Sequence, residues 1–153
     1  MVKEERSEGR RDHRLSFFHR LAGSGCYATD VDFIELNSSG EPIALFEFKH
    51  CNAPPIHPHK SFQLSALKRL AQIAKIPAYG IRYNDFFDWF YVYDFFHHDP
   101  TLPREMDRLE VLYFIAQLHG HVMTNQEIEI AKNVQFDENG YLDLLNDQFV
   151  GKF

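Results

Sequence analysis

Two alternating runs joined by a polar turn constrain the fold of this chain most strongly. Residues 27–36 and 42–50 each alternate between polar and apolar side chains, and the segment between them is Asn37-Ser38-Ser39-Gly40-Glu41. A period of two is typical of β-strands, and Asn, Ser and Gly favour turns. The pattern therefore predicts an antiparallel β-hairpin, with an apolar face packed on a core on one side only.

The charged side chains of this hairpin are predicted to share its other face. Residues two apart in a strand point the same way, which groups Asp30 with Asp32 and Glu47 with Lys49. If residues 39–40 form a two-residue turn, Asp32 lies opposite Glu47 and Asp30 lies opposite Lys49. A loop one residue longer would put Asp32 and Glu47 on opposite faces unless a β-bulge corrected the register.

This grouping of charges predicts a cation site. Like charges that face each other across strands destabilise the pair unless something neutralises them. A divalent cation would neutralise Asp30, Asp32 and Glu47, with help from Lys49, and carboxylate oxygens are ligands that Mg²⁺ prefers. The alternative is an ion pair between Asp30 and Lys49, with Asp32 and Glu47 merely solvated.

Length and composition predict a single globular domain, residues 1–153. The chain has 153 residues, of which 44% are hydrophobic, enough for one domain with a core. No apolar run reaches the roughly 18 residues of a membrane span, and the N-terminus lacks the apolar segment of a signal peptide. We therefore expect a cytoplasmic protein with no membrane partner, in which Cys26 and Cys51 are reduced.

The charge distribution is compatible with a nucleic-acid partner. The net charge of −6 argues against one, but basic residues cluster near the N-terminus, where Arg10, Arg11 and Arg14 lie. This cluster is either a phosphate-binding arm or a solubilising tail.

The remaining periodicities predict an α/β protein with a mixed sheet. Helices are expected over residues 10–21, 60–75 and 103–118, strands over 77–84 and 87–96, and a capping box at Thr124 and Glu127. The helix over 60–75 would present Leu64, Leu67, Leu70, Ala71 and Ala74 to the core. It joins two strands, which favours a parallel crossover.

Asp32, followed 15 residues later by Glu47-Phe48-Lys49 and then by an α/β crossover, resembles the PD-(D/E)XK nuclease superfamily. The resemblance implies a restriction-endonuclease-like core at residues 10–98. This core has a mixed central β-sheet flanked by helices, of αβββαβ type, and residues 99–153 would form a mostly helical C-terminal extension. The sequence departs from the motif at Thr29, which stands where the proline of the family's name would precede Asp30.

The resemblance also implies an activity and a set of site residues. The chain would be a Mg²⁺- or Mn²⁺-dependent endo- or exodeoxyribonuclease acting on DNA, with RNA as an alternative substrate. Asp32, Glu47 and the backbone carbonyl of Phe48 would bind the metal, and Lys49 would orient or activate the attacking water. Asp30 would be an auxiliary acid. One metal or two, and a monomer or a homodimer, remain open.

Gln63 and four basic residues complete the predicted site. Gln63, one turn into the helix that follows the triplet, could reach the site or the nucleic-acid backbone, as many superfamily members place a polar residue there. An exposed helix glutamine is an equal alternative. The expected nucleic-acid contacts are Arg10, Arg11, Arg14 and Lys60.

Three other functional hypotheses compete with the nuclease. The first is a catalytically inactive nuclease-like module for nucleic-acid binding or protein interaction. The second is a zinc enzyme built on the histidine clusters at residues 57–59, 97–98 and 119–121, but these lack a cysteine or acidic partner at diagnostic spacing. The third is a stacking platform on the aromatic run 86–96, which is more simply a half-buried strand.

Overall fold

The computed structural model describes residues 31–136, all of which fall in one compact unit, Val31–Phe153. The predicted helix over residues 10–21, Cys26, Asp30 and the three N-terminal arginines lie outside the described residues. The described elements are β1 (Phe33–Leu36), β2 (Pro42–His50), α1 (Phe62–Ala74), β3 (Ala78–Tyr83), β4 (Trp89–Asp94), β5 (Arg104–Asp107), α2 (Arg108–Leu118) and α3 (Asn125–Asn133). They form an α/β fold.

The five described strands form one mixed sheet in the order β1-β2-β3-β4-β5. Strands β2 and β3 are parallel and are connected through α1, which confirms the predicted crossover. The other neighbouring pairs are antiparallel. Within residues 31–136, two strands precede the crossover helix, whereas an αβββαβ core has three.

The hairpin turn differs from the predicted two-residue turn. Its loop has three residues, Ser38 to Gly40, because the Asn37 carbonyl accepts from the Gly40 amide at 2.9 Å and the Asn37 amide donates to the Glu41 carbonyl at 2.9 Å. The Asn37 side chain stabilises this form by accepting hydrogen bonds from the amides of Ser39 and Glu41. Gly40 takes the left-handed conformation, with φ 77°, that a residue without a Cβ adopts easily.

A bulge corrects the register of the longer loop. The pairing shifts between Glu35 and Leu36, after which Phe33 pairs with Phe46. This is the predicted register within β1, whereas Asp32 precedes the strand and its side chain accepts from the Phe48 amide. The extra loop residue and the bulge therefore cancel, and the predicted alignment of the hairpin holds.

Helices cover both faces of β2, so the expectation of one-sided packing was wrong. On one face Leu45 packs with Leu64, Leu67 and Ala71 of α1. On the other face Ala44 and Phe46 pack with α2 residues such as Val111 and with residues of β3 and β4. The crossover helix lies on the face that carries Glu47, which buries that carboxylate.

Helix α1 begins after Ser61, whose side chain accepts from the Leu64 amide at 3.3 Å. It ends at Lys75, which has φ 58°. The predicted apolar stripe is partly wrong, because Leu70 and Ala74 are exposed. These two residues lie at the edge of the buried stripe formed by Leu64, Leu67 and Ala71.

The C-terminal part contains a strand where a helix was predicted. Residues 104–107 pair with β4, so the helix predicted from residue 103 begins only at Arg108. Asp107 caps it, because its side chain accepts from the Glu110 amide and the Glu110 side chain accepts from the Asp107 amide. Backbone pairing at the sheet edge, with burial of Met106, outweighs the helical periodicity of the segment.

The predicted capping box at Thr124 and Glu127 is confirmed at the start of α3. The hydrogen bond from the Thr124 backbone amide, together with those from His121 and the Thr124 hydroxyl, lowers the pKa of the Glu127 carboxyl. The aromatic run forms β4, whose Phe90, Val92 and Tyr93 are buried, as expected of a half-buried strand. Among residues 31–136, no helix is both long and apolar enough to cross a membrane.

Gly80 allows the loop after β2 to pack against the sheet beside Glu47. It is the register partner of Glu47, and a Cβ here would lie 2.7 Å from Ile56 Cδ1 and 3.0 Å from Phe95 Cε1. We expect Gly80→Ala to lower the free energy of unfolding by about 1–3 kcal/mol through overpacking. Urea denaturation measures this change.

A double-mutant cycle tests the cause. Ile56→Val removes the Cδ1 atom closest to the new methyl group, so the double variant is expected to lose less stability than the two single variants added together. Additive losses would show that the cost does not arise from this contact.

Candidate active site

The candidate site is built around a buried carboxylate on a central strand. Glu47 is 1% exposed and lies on the β2 face covered by α1. Its Oε1 accepts a hydrogen bond from Gln63 Nε2 at 2.8 Å and a charge-assisted one from Lys49 Nζ. We call these three residues the Glu47 cluster.

The local fold explains why the cluster forms. Glu47 and Lys49 are two residues apart in β2 and therefore share a face. Gln63 is the second residue of α1, and the crossover brings the start of this helix against that face. Lys49 Nζ lies 3.5 Å from Gln63 Oε1, and its side chain is 31% exposed. The cluster thus has a buried acid and a lysine that reaches solvent.

Asp32 lies beside β2, next to Phe48. It precedes β1, is exposed, and its Oδ2 accepts from the Phe48 amide at 2.7 Å. This bond fixes the carboxylate beside Phe48, the residue between Glu47 and Lys49. The predicted auxiliary acid, Asp30, lies outside the described residues.

The backbone just beyond Lys49 is held by an arginine. Arg82 is the register partner of Lys49 in β3 and donates hydrogen bonds to the carbonyls of Cys51 and Ala53, the latter at 3.1 Å. His50 is turned away from the cluster, since its Nε2 lies 2.6 Å from Asp85 Oδ1 and its ring packs edge-on to Tyr83. His50 therefore belongs to the opposite face of the sheet, as the alternation predicts.

The donor set fits hydrated Mg²⁺ better than zinc. Mg²⁺ is bound by one or two protein carboxylates and keeps several waters, so Asp32, Glu47 and a backbone carbonyl would suffice. Zinc needs three or four converging protein ligands. Within residues 31–136, no group of three His, Cys, Asp or Glu side chains is arranged to hold an ion.

Comparison with known proteins finds no match. No protein-family model matches the chain, and no curated protein or solved structure is significantly similar to it.

The other predicted residues lie around the cluster or outside the described part. Lys60 is exposed in the turn before α1, and its backbone amide donates to the His57 carbonyl. Arg10, Arg11 and Arg14 fall in the segment that is not described. His119 and His121 contact the carboxylates of Glu35 and Glu127 at 2.7 Å and 3.0 Å.

One residue beside the cluster was missed by the sequence argument. Phe62, which precedes Gln63 in α1, is 98% exposed. The signal was present in the sequence, because Phe62 lies off the apolar stripe formed by Leu64, Leu67 and Ala71 and directly follows the capping residue Ser61.

Proposed function

We propose that this chain is a metal-dependent nuclease that hydrolyses phosphodiester bonds of DNA, and that its sheet is a restriction-endonuclease-like core. One observation carries the proposal: the buried Glu47 carboxylate is contacted by both Lys49 and Gln63. The exposed carboxylate of Asp32 lies beside the same stretch of strand.

The burial of Glu47 is costly for the fold alone. Removing a carboxylate and an ammonium group from water has a desolvation penalty that their attraction often fails to repay. The neighbouring positions Leu45 and Phe46 are apolar and buried, so an apolar residue at position 47 would suit the core. A charged group retained there favours a functional role over a structural one.

Each residue of the site has a distinct proposed role. Asp32 and Glu47 would bind the metal with the carbonyl of Phe48, while Gln63 holds the Glu47 carboxylate in place. Bound Mg²⁺ or Mn²⁺ polarises the phosphoryl oxygens and lowers the pKa of a coordinated water. The ammonium group of Lys49, which reaches solvent, would donate to the phosphate oxygens or orient the water.

The topology supports the same proposal at the level of the fold. A hairpin, a crossover helix and a parallel strand follow one another, and the acid-x-lysine triplet lies on the strand that enters the crossover. This context matches part of what the PD-(D/E)XK resemblance implies, since two of its three expected strands precede the crossover helix within residues 31–136. It supports the motif, which is short and degenerate by itself.

A cleavage assay with a matched pair of variants tests the proposal. We expect the purified chain to cut at least one member of a panel of single-stranded, duplex, forked and four-way-junction DNA in Mg²⁺ or Mn²⁺, and EDTA to stop it. Asp32→Asn removes one exposed charge and should reduce the rate by about a hundredfold or more. Glu129→Gln changes an exposed carboxylate on α3 and serves as the control.

Two results would contradict the nuclease. One is an unchanged rate in Asp32→Asn, which would place the activity elsewhere or in a contaminant. The other is the absence of cleavage across the DNA panel and matched RNA. Metal-independent binding without cleavage would instead support a non-catalytic nucleic-acid-binding module.

A further inference from the structure

We infer that the first part of the solvent face of α1, residues 62–69, binds the nucleic acid and that Phe62 stacks on an unpaired base beside the cleavage point. This inference rests on the proposed nuclease function and names its substrate class: single-stranded or splayed nucleotides, as in a flap, a fork or a frayed end. Charge, exposure and position each support it.

One segment of the chain carries basic residues without acidic ones. Residues 48–84 contain six basic residues and no acidic one, although the whole chain has 16 basic and 22 acidic residues and a net charge of −6. The six are Lys49, Lys60, Lys68, Arg69, Lys75 and Arg82. This segment spans the end of β2, the loop, α1 and β3; Lys49 lies in the Glu47 cluster and Lys60 lies just before α1, whereas Lys75 follows the far end of the helix. A polyanion is the ligand complementary to such a surface.

Phe62 is an aromatic residue on the surface of this segment. Its side chain is 98% exposed at the first position of α1. A phenyl ring held in water on a regular helix contributes little to the core, whereas aromatic side chains on a basic surface bind nucleic-acid bases by stacking. Lys60, two residues before Phe62, is also exposed.

Phe62 lies next in sequence to a residue of the Glu47 cluster. The next residue, Gln63, contacts both Glu47 and Lys49. On the same side of the helix, Ala66 and Arg69 follow Phe62 at spacings of four and seven residues, and both are exposed. A nucleic-acid strand that runs along this face toward the start of α1 would contact Phe62 last, directly before the Glu47 cluster.

Stacking on Phe62 selects the substrate class. A base inside a duplex has both faces covered by its neighbours, so it offers no face to the ring until it is unstacked. Single strands and splayed ends expose the face of a base without the cost of unstacking it. The face should therefore distinguish these substrates from a blunt duplex.

Binding without catalysis tests the inference. Fluorescence anisotropy in EDTA would compare a labelled single strand, a fork and the blunt duplex of the same sequence. We expect the wild type to bind the single strand and the fork more tightly than the duplex. Phe62→Ala should weaken single-strand binding by about ten- to a hundredfold, with Phe62→Trp close to the wild type.

Two variants on the same helix act as comparisons. Ile73→Ala removes an apolar side chain that is 81% exposed but lies at the far end of α1, and it should leave single-strand affinity within about twofold of the wild type. Arg69→Ala should weaken binding to every substrate and reduce the slope of log affinity against log salt by about 1.

The possible results separate the two proposals. Equal single-strand affinity of Phe62→Ala and the wild type would overturn the inference, even if Mg²⁺-dependent cleavage is observed. Equal losses in Phe62→Ala and Ile73→Ala would also overturn it, since they indicate a general apolar surface suited to a protein partner. A Phe62-specific loss in a chain that fails to cut would support the binding face and reject the nuclease.

Discussion

Replacing Lys49 with methionine should reduce metal-dependent cleavage by about a hundred- to a thousandfold. The ammonium group is the basic group of the Glu47 cluster, and removing one preorganised donor from a phosphoryl or acyl transition state has an effect of this size. Methionine retains an unbranched apolar stem, so packing against the strand is largely preserved. Single-turnover cleavage of the best substrate in Mg²⁺ measures the loss.

Two controls accompany this variant. Lys132→Met changes an exposed lysine on α3 and should leave cleavage unchanged. Because Lys49→Met leaves the buried Glu47 carboxylate without its cation, we also expect some loss of stability, and urea denaturation must show that the variant is folded under assay conditions. Full activity in a folded Lys49→Met variant would remove Lys49 from the proposed chemistry.

Phe46→Ala should have the largest effect on stability, lowering the free energy of unfolding by about 3–5 kcal/mol. Phe46 is 0% exposed, and its ring packs against Tyr79 and Phe114, with centroid distances of 5.7 Å and 6.2 Å. Truncation would leave a cavity between β2 and α2 that the surrounding rings can fill only in part.

The hairpin supplies a matched control for this variant. Phe33 is the register partner of Phe46, but it lies on the edge strand and is 56% exposed. Phe33→Ala removes the same atoms and should lower stability by about 1 kcal/mol or less. Urea denaturation of both variants gives the comparison. Similar losses would mean that β1 is as well buried as the centre of the sheet.

The best predicted parts of the fold are those set by local periodicity. Strands β2 and β3, the helix between them and the capping box at Thr124 all follow from residue spacing and capping chemistry. Strand β5 was missed because its four residues carry a helix-compatible pattern, and only pairing with β4 makes them extended. A contact of that kind is not visible in the local sequence.

Residue spacing also predicted part of the candidate site, but it did not predict the contacts that depend on how the helix packs. The alternation in β2 predicts that Glu47 and Lys49 share a face, and the crossover brings Gln63 to them. The burial of Glu47 was not predicted, because it depends on how α1 packs over the strand. The role inferred for Phe62 was not predicted. Net charge was counted over stretches longer than residues 48–84, and such counts do not show that this segment lacks acidic residues.

The paired bulge and long loop of the hairpin have a consequence for length changes in this turn. Deleting Ser39 would leave a two-residue loop, which needs no bulge to keep Phe33 opposite Phe46. A deletion here can thus be absorbed within the hairpin, without sliding one strand past the other. The turn is consequently a place where a tag or a shorter loop could be engineered while the pairing of Phe33 with Phe46 is retained.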